Sequence, residues 1–374
     1  MNAENNTKTR VALLFGGRSS EHAVSCVTAA GVMHSIDREK YDVVPIGITR
    51  DGRWSLVDAD PETWSLASGE APEVLAGPET LRLDIVPEGR ELVAHTNGGK
   101  TRSLGGVDIV FPLLHGPFGE DGTLQGLLEL ADVPYVGSGV SASAIGMDKH
   151  YMKVVFEAAG FRVGPYVVIT DKAWRRDPEG AMAAAGSLTY PLFVKPARAG
   201  SSVGISRVDS PSQLREAVEA ARIHDPKVVI EQGIDGREIE CGVLEGRGHE
   251  VPRTSLPGEV AMEAGDHEFY DFEAKYVDGA AAKLSCPAEL PEGAVDEVRR
   301  LAAAAFDAVG AEGLSRVDFF YTDAGGWVIN EINTMPGFTP ISMYPQMWDK
   351  TGMAYPDLID ELIWLALNRR TGLR

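Results

Sequence analysis

Cysteine is scarce in this sequence. The three cysteines, Cys26, Cys241 and Cys286, are far apart and form no C-x-x-C pair, which argues against a disulfide framework and a thiolate zinc site. The first ten residues lack the apolar core of a secretory signal. No run of about 18 apolar residues, the length needed to span a bilayer, occurs either. We therefore expect a cytoplasmic protein with reduced thiols and no membrane partner.

Positive charge is also in short supply. The 374 residues include 35 Lys and Arg against 55 Asp and Glu, for a formal net charge of −20. This balance argues against a nucleic-acid partner. With 44% hydrophobic residues, the chain can bury a substantial core, and its length suggests two or three domains.

The N-terminal third alternates strand-like and helix-like segments. Buried-strand patterns such as "VALLFGG" and "VDIVFPLL" each lead into a glycine-containing loop and a helical pattern. This alternation predicts a mainly parallel α/β domain over residues 1–147. Residues 55–106, rich in Pro, Glu and Gly, are interpreted as a loosely structured insertion or a small hairpin.

The rest of the chain predicts two α+β lobes. Residues 148–248 contain short β-rich strands around one helix that Ser210 is expected to cap. Residues 249–374 contain an amphipathic helix, "AVDEVRRLAAAAFDAVG", then a hairpin and a closing helix. The fold class is therefore α/β, with an N-terminal α/β domain followed by two smaller lobes.

The predicted hairpin at 315–333 carries the clearest chemical signal. Side chains alternate along a strand, so placing Asp318 opposite Glu331 also places Arg316 opposite Asn333. Two carboxylates and an amide oxygen on one surface suit Mg²⁺ when phosphates supply further ligands. The alternative is an exposed strand face on which the arginine and the acids simply pair.

The segment "VKPARAGSSVG" resembles a phosphate-binding loop with its parts reversed. Lys195 precedes a proline, and the glycines and serines follow. Such a segment can form a mobile loop whose N–H groups approach an anion. Glu231 ends a later strand, "VIEQGI", where it could contact an adenine or ribose group. With the hairpin, these residues predict a nucleoside triphosphate site between two β-rich lobes.

Several longer motifs carry a family resemblance. "VKPARAGSSVG", "EQGIDGREIECGV", "SRVDFFY" and "INEINTMPGFTPISMYP" resemble the ATP-grasp fold. Together with "LLFGGRSSEHAVS", "LHGPFGEDGTLQG", "MDKHYMK" and "FYDFEAKY", they are similar to the D-alanine–D-alanine ligase family over residues 11 to about 365. The resemblance implies that ATP is held between the two lobes. It also implies phosphorylation of one D-alanine carboxylate and attack by the amine of a second D-alanine, which serves peptidoglycan precursor synthesis.

The resemblance also assigns roles to individual residues. It implies two Mg²⁺ or Mn²⁺ ions on Asp318, Glu331 and Asn333, with a monovalent cation as a further candidate. The implied ATP-binding residues are Lys149, Lys195, Glu231, Ile234, Glu238, Phe269, Lys275 and Asn330. The implied catalytic and substrate-binding residues are Glu21, His115, Ser201, Tyr276, Arg316, Gly337 and Ser342.

In the same family pattern, the reversed loop is a lid. Ser201 is implied to hydrogen-bond Glu21 and Tyr276 and so to keep water from the acyl phosphate. The segment "FYDFEAKY" belongs to a second flap in this family pattern. Relatives that make D-alanyl-D-lactate carry a residue other than Tyr276 in this flap, often Phe or His. Tyr276 therefore favours a dipeptide product, with a D-alanine–D-lactate ligase as the alternative. A homodimer through the N-terminal domain is also implied.

Two other classes of protein fit this sequence less well. An NAD-dependent oxidoreductase is disfavoured because "GGRSSE" lacks the G-x-G-x-x-G spacing and no acidic residue ends a second strand about 20 residues later. A catalytically inactive nucleotide-binding module would be expected to lack Arg316, Asp318 or Glu331, and all three are present.

Overall fold

The N-terminal domain is built on a mainly parallel sheet. The computed structural model describes residues 8–64, 71–84, 90–96, 98–262, 282–324 and 326–370. The sheet has the order β3-β2-β1-β7, and its strands are β1 (Thr9–Gly16), β2 (Tyr41–Ile48), β3 (Trp54–Leu56) and β7 (Ile109–Pro112). Strands β2 and β7 flank β1 in parallel, while β3 returns antiparallel to β2. The predicted parallel α/β domain is therefore confirmed.

Three helices accompany this sheet. They are α1 (His22–Ser35), α2 (Thr123–Leu130) and α3 (Val140–Met147). Residues 11–15 of β1 are at most 1% exposed, as expected for a strand covered on both faces. The chain turns at Gly16 and Gly17, which both have positive φ, and helix α1 begins shortly afterwards at His22. Loops and helix starts thus gather at the carboxyl end of the parallel strands.

The segment predicted as a loose insertion or small hairpin contains a second sheet. Strands β4 (Glu79–Leu83), β5 (Glu91–Thr96) and β6 (Thr101–Gly106) form an antiparallel three-stranded sheet. Alternate apolar side chains provide its buried face, since Leu81, Leu92 and Ala94 are at most 2% exposed. A 3-10 helix, Pro61–Trp64, precedes this sheet. This region therefore has more regular structure than its composition predicts.

A four-stranded antiparallel sheet forms the centre of the chain. Its order is β10-β9-β11-β8. The elements here are α4 (Lys149–Ala158), β8 (Tyr166–Ile169), α5 (Asp171–Arg176), α6 (Pro178–Ala183), β9 (Leu192–Pro196), β10 (Ser206–Val208), α7 (Leu214–His224) and β11 (Val228–Gln232). The turn before α7 closes at Ser210, whose backbone N–H donates to Gln213 Oε1 at 3.1 Å. Buried Leu214, Val218 and Ala221 pack α7 on the sheet.

A six-stranded antiparallel sheet forms the last lobe. Its order is β15-β14-β12-β16-β17, with β13 paired to β12. The elements are β12 (Arg237–Leu244), β13 (Arg253–Thr254), β14 (Gly258–Met262), β15 (Ala282–Ser285), α8 (Ala294–Val309), β16 (Leu314–Tyr321), β17 (Trp327–Asn333), α9 (Met343–Thr351) and α10 (Tyr355–Leu367). Helix α8 buries Val298, Ala302 and Phe306 against β16. No helix among the described residues is long and apolar enough to cross a membrane.

Strand β12 lies on the far side of the predicted lobe boundary. It precedes residue 248, yet it pairs with β16 along its whole length. The central sheet ends at Gln232, so the two sheets divide between Gln232 and Arg237. The sheet of the last lobe therefore includes β12, which carries Glu238 and Glu240.

One buried cluster joins the N-terminal domain to the last lobe. It contains Phe111 on β7 together with Phe338, Tyr344 and several residues of α10. The rings of Phe111 and Phe338 lie 6.1 Å apart between centroids. This packing fixes the segment after β17 beside the carboxyl end of β7, which brings two regions of predicted site residues together.

Candidate active site

The hairpin pairs the two predicted metal-binding carboxylates. Asp318 on β16 lies directly opposite Glu331 on β17, and Arg316 lies opposite Asn333. Residues directly opposite each other share a face of the sheet, so the predicted arrangement is confirmed. After Asp318 the register shifts, so that Phe319 lies opposite Ile329. Asn330 lies at this bulge, a feature that alternation alone does not predict.

Arg316 is held by acidic groups from two strands. Its guanidinium donates to both Asp318 oxygens at 2.8 and 2.7 Å and approaches Glu240 on β12 at 3.2 Å. Burial opposes the charged form of Arg316, but Asp318 and Glu240 outweigh it and raise the pKa well above its usual value. Arg316 is therefore permanently cationic at the centre of this face.

The residues at the hairpin suit a hard cation with phosphate ligands. Asn333 Nδ2 lies 3.0 Å from Asp318 Oδ2; turning the amide would present its oxygen on the same side. No group of three His, Cys, Asp or Glu side chains converges within the described ranges. The predicted set has two carboxylates and one amide, so phosphate oxygens would have to complete it.

Lys149 links the hairpin to the lid. Its ammonium lies 3.7 Å from Glu331 Oε2 and donates to the carbonyl of Ala199 at 2.9 Å. Lys149 is the first residue of α4, and the side chain of Asp148 caps that helix by accepting from two of its backbone N–H groups. The start of helix α4 thus places the ammonium group of Lys149 between the lid and the hairpin face that carries Asp318, Glu331 and Asn333, which we call the metal-type face.

Lys195 shares a buried carboxylate with a second lysine. Glu231 accepts from Lys195 Nζ at 2.8 Å and pairs with Lys153 Nζ at 3.1 Å. Burial alone would raise the pKa of Glu231, but the two lysines lower it to about 2. Burial also opposes the charge of Lys195, which Glu231 outweighs so that its pKa is raised. Lys195 and Glu231, the two predicted residues, therefore form one ion-paired group together with Lys153.

The remaining described residues predicted to bind ATP lie around this cluster. Ile234 lies in the connection between β11 and β12, and its methyl group faces Gly164. Glu238 is on β12 opposite Phe320, on the same face as Glu240. Phe269, Lys275 and Tyr276 lie outside the described residues.

Glu21 lies in a narrow space between two glycines. It precedes α1 as the N-cap residue, with no side-chain cap hydrogen bond. A Cβ added to either Gly116 or Gly200 would come within 2.7 Å of Glu21 Oε2. Ser201 Oγ donates to Glu21 Oε1 at 2.5 Å across 180 residues of sequence. The predicted contact between the lid serine and Glu21 is therefore present.

His115 lies at the inner wall of this region. Its Nδ1 is 3.1 Å from the carbonyl of Met335, and its Nε2 is 3.2 Å from the hydroxyl of Thr28. Burial lowers its pKa, with Glu21 opposing the change. A neutral ring with the proton on Nδ1 satisfies both neighbours. His115 therefore contacts the segment after β17 as well as bordering Glu21.

The segment after β17 carries the last two predicted residues. Gly337 is partly exposed between buried Pro336 and Phe338. Ser342 precedes α9, and its hydroxyl contacts the Thr339 hydroxyl at 2.7 Å and accepts from the Thr339 N–H at 3.2 Å. The buried aromatic cluster around Phe338 holds this segment, so both residues lie on a fixed turn.

Three ionisable residues of the site were not predicted from the sequence. They are Glu120, Lys153 and Glu240. Glu120 accepts from the Gly116 N–H at 2.7 Å and the Met335 N–H at 3.3 Å. Burial and the nearby Glu21 raise its pKa to about 8. Alternation with Glu238 could have indicated Glu240, whereas the contacts of Glu120 with Met335 and of Lys153 with Glu231 join distant parts of the chain.

Comparisons with known proteins agree with this geometry. Residues 10–138 match the family model described as the D-ala D-ala ligase N-terminus, and residues 155–364 match the D-ala D-ala ligase C-terminus. The chain belongs to the D-alanine–D-alanine ligase family.

Relatives resemble this chain over nearly its full length. A D-alanine–D-alanine ligase from Arthrobacter sp. (strain FB24) is 65% identical, covering 100% of this chain and 97% of the relative. One from Streptomyces coelicolor is 55% identical, covering 98% and 95%. The similarity to named ligases favours the dipeptide-forming activity over the D-lactate alternative, and the chain is a ligase of the ATP-dependent family.

Solved structures share the fold. The VanG D-Ala:D-Ser ligase from Enterococcus faecalis is 35% identical with a TM-score of 0.80, covering 96% of this chain and 100% of its own. The D-alanine–D-alanine ligase from Coxiella burnetii is 34% identical with a TM-score of 0.79, covering 97% and 94%. The predicted ATP-grasp fold is therefore confirmed.

Proposed function

We propose that this chain joins two D-alanine molecules into D-alanyl-D-alanine at the expense of ATP, which gives ADP and phosphate. The observation that carries the proposal is the pairing of Asp318 with Glu331 beside Arg316, with Lys149 close to Glu331. Phosphoryl transfer needs charge neutralisation and positioning more than covalent participation by the protein. This group of residues supplies both.

The first step proposed is transfer of the γ-phosphoryl group. A carboxylate oxygen of the first D-alanine attacks the γ-phosphorus, the bond to the β-phosphate oxygen breaks, and ADP leaves. Lys149 and Lys195 neutralise phosphate charge, and Arg316 faces the transferring group. Asp318, Glu331 and Asn333 would hold two Mg²⁺ or Mn²⁺ ions, which neutralise charge on the phosphates when bound. Glu21 would hold the ammonium group of this D-alanine, with His115 bordering it.

The second step forms the peptide bond. The ammonium group of the second D-alanine loses one proton to solvent, and the resulting amine attacks the acyl carbon. The bond from the acyl carbon to the phosphate-bound oxygen then breaks, phosphate leaves with the former carboxylate oxygen, and a second proton passes from the nitrogen to solvent or to the departing phosphate. The Gly337 N–H would stabilise the oxyanion that forms, while Ser342 would hold the carboxylate of the second substrate. In the flap segment, Lys275 would contact a phosphate group and Tyr276 would supply a hydroxyl group to the lid contact.

The lid contact supports exclusion of water from the acyl phosphate. Ser201 reaches Glu21 directly, so the loop that begins at Lys195 covers the place where the first substrate would be held. An acyl phosphate hydrolyses unless water is kept away. The nucleotide base and ribose would lie toward Glu231, Ile234, Glu238, Phe269 and Asn330. We expect a cytoplasmic homodimer, and a monovalent cation remains a candidate cofactor.

The experiment is phosphate release with ATP, Mg²⁺ and a panel of acceptors. Purified protein is given D-alanine alone, L-alanine alone, or D-alanine mixed with D-lactate or D-serine, and products are separated by mass spectrometry. The proposal predicts D-alanyl-D-alanine as the main product and no turnover with L-alanine. Preferential formation of D-alanyl-D-lactate would support the alternative, and the absence of any dipeptide would reject the proposed function.

A further inference from the structure

The N-terminal domain contacts both the backbone N–H and the backbone carbonyl of Met335, a residue just outside the hairpin. Met335 donates its N–H to Glu120 Oε2 at 3.3 Å, and its carbonyl faces His115 Nδ1 at 3.1 Å. Both partners come from the loop that follows β7, more than 200 residues away in sequence. Met335 itself is 7% exposed. The loop therefore holds the backbone of Met335 at both its donor and its acceptor.

Glu120 also holds its own loop. Its second carboxylate oxygen accepts from the Gly116 N–H at 2.7 Å. Gly116 has φ +74°, and a Cβ there would lie 2.7 Å from Glu21 Oε2. The Gly116 backbone is thus pressed against the carboxylate of Glu21. One side chain fixes the backbone beside Glu21 and the backbone two residues before Gly337.

A carboxyl group is required for this double contact. Both oxygens of a carboxyl group can accept a hydrogen bond, with or without a proton on the group, whereas a glutamine amide offers one acceptor oxygen and one donor nitrogen. A donor nitrogen facing a backbone N–H would leave both groups unsatisfied. The position of Glu120 near Glu21 is electrostatically unfavourable, so the two backbone contacts, rather than attraction to Glu21, account for its orientation.

We propose that Glu120 is a positioning residue of the ligase reaction, which sets the Gly337 N–H relative to Glu21 by joining the Gly116 and Met335 amides. The inference rests on the proposed function, because Glu21 and Gly337 contact substrate only in that reaction. Glu120 acts through these backbones and needs no contact with substrate. A small displacement of the oxyanion donor slows the second step more than it weakens ATP binding.

The test compares Glu120→Gln with a matched buried carboxylate elsewhere. Glu361 is 5% exposed and is held by Arg247 and Arg253, so Glu361→Gln controls for the loss of a buried charge. We expect Glu120→Gln to lower kcat by roughly 10- to 100-fold with little change in the KM for ATP. We also expect more phosphate released per dipeptide, because a slower attack by the amine leaves more time for water to hydrolyse the acyl phosphate. Glu361→Gln should lower the Tm and leave kcat and this ratio unchanged.

Each outcome decides the inference. Folded Glu120→Gln protein with wild-type kcat and product ratio would overturn the inference. It would also be overturned if kcat fell in both Glu120→Gln and Glu361→Gln in proportion to the fall in Tm. Should Glu120→Gln fail to fold, Glu120→Asp, whose shorter side chain cannot reach both amides, provides the same test, and wild-type turnover there would also overturn it. Absence of dipeptide from the wild-type protein would instead reject the proposed function.

Discussion

Glu231 shows how a single buried carboxylate can organise two cations. Its partners Lys153 and Lys195 come from α4 and β9, and only Lys195 is recognisable from a motif. Removing the carboxylate would leave two buried ammonium groups without their shared ion-pair partner. We therefore assign Glu231 a structural part in addition to its proposed place near the nucleotide.

The pairing of Glu231 makes stability depend on pH. Its pKa is lowered from an ordinary 4.5 to about 2, so its contribution is fully present above pH 4.5 and is lost as the pH falls toward 2. Glu231→Gln should cost about 3 to 5 kcal/mol at pH 7. Denaturant unfolding at pH 7 and pH 3 should show a smaller difference between variant and wild type at pH 3. An equal difference at both values would contradict the assignment.

Glu331 allows a sharper test of the metal-type face. Glu331→Gln keeps the shape and removes one of the two facing charges, so we expect kcat to fall about 100-fold or more. Asp323→Asn, in the exposed turn of the same hairpin, is the matched control and should keep wild-type turnover. Steady-state phosphate release measures both variants, with circular dichroism to check folding. Near-normal turnover by folded Glu331→Gln protein would remove the hairpin from the mechanism.

Residue-scale prediction succeeded where strand geometry alone decides position. The pairing of Asp318 with Glu331 followed from alternation and turn length. Glu120 and Lys153 could not be found in this way, since the contacts of Glu120 with Met335 and of Lys153 with Glu231 join residues distant in sequence. Their importance depends on tertiary contacts that no local pattern encodes.

The surroundings of the lid constrain its sequence. Gly200 approaches Glu21 so closely that a side chain would contact the carboxylate. The two following serines adopt positive φ, 47° at Ser201 and 57° at Ser202, a conformation that costs energy for residues with a Cβ. The lid therefore holds an unfavourable backbone conformation in order to reach Glu21.

Gly200→Ala should prevent the lid from closing fully. We expect kcat to fall roughly tenfold or more and ATP hydrolysis to exceed dipeptide formation, because water reaches the acyl phosphate. Gly186→Ala is the control, since a Cβ there meets nothing within 4 Å. Parallel assays of phosphate and dipeptide give the ratio. A ratio of one in both variants would contradict the proposed function of the lid.

Element-scale prediction was good for long periodic segments and weaker for short ones. Helix α8 and the β16–β17 hairpin are present as predicted, because each has an unbroken pattern that ends at a glycine or a turn. The sheet formed by β4, β5 and β6 was missed, since Pro, Glu and Gly hide the alternation of Leu81, Leu92 and Ala94. The bulge after Asp318 was missed for a similar reason, as strict alternation assumes a regular ladder.

At the scale of the whole molecule, the site is formed by three parts of the chain. The N-terminal domain provides Glu21 and His115, the central lobe provides Lys195 and the lid, and the last lobe provides the hairpin. A ligand bound there would contact all three parts, so binding should stabilise the folded state. The order of the strands in each sheet, including the place of β12, could not be predicted from local patterns.

Addition of ATP with Mg²⁺ should therefore raise the Tm of the protein. Ligand at about 100 times its Kd stabilises by about 2.7 kcal/mol. We expect most of this effect to disappear in excess chelator and in Glu331→Gln, while Asp323→Asn keeps it. Differential scanning fluorimetry measures each case. A Tm increase by ATP that is insensitive to chelator would contradict the metal assignment.

The central claim is that a D-alanine carboxylate becomes an acyl phosphate at this site. The most direct measurement uses D-alanine labelled with ¹⁸O in both carboxylate oxygens, with mass analysis of the phosphate released. Attack of the carboxylate on the γ-phosphorus, followed by attack of the amine on the acyl carbon, predicts one ¹⁸O atom in each phosphate formed with dipeptide. Unlabelled phosphate accompanying the dipeptide would contradict the account.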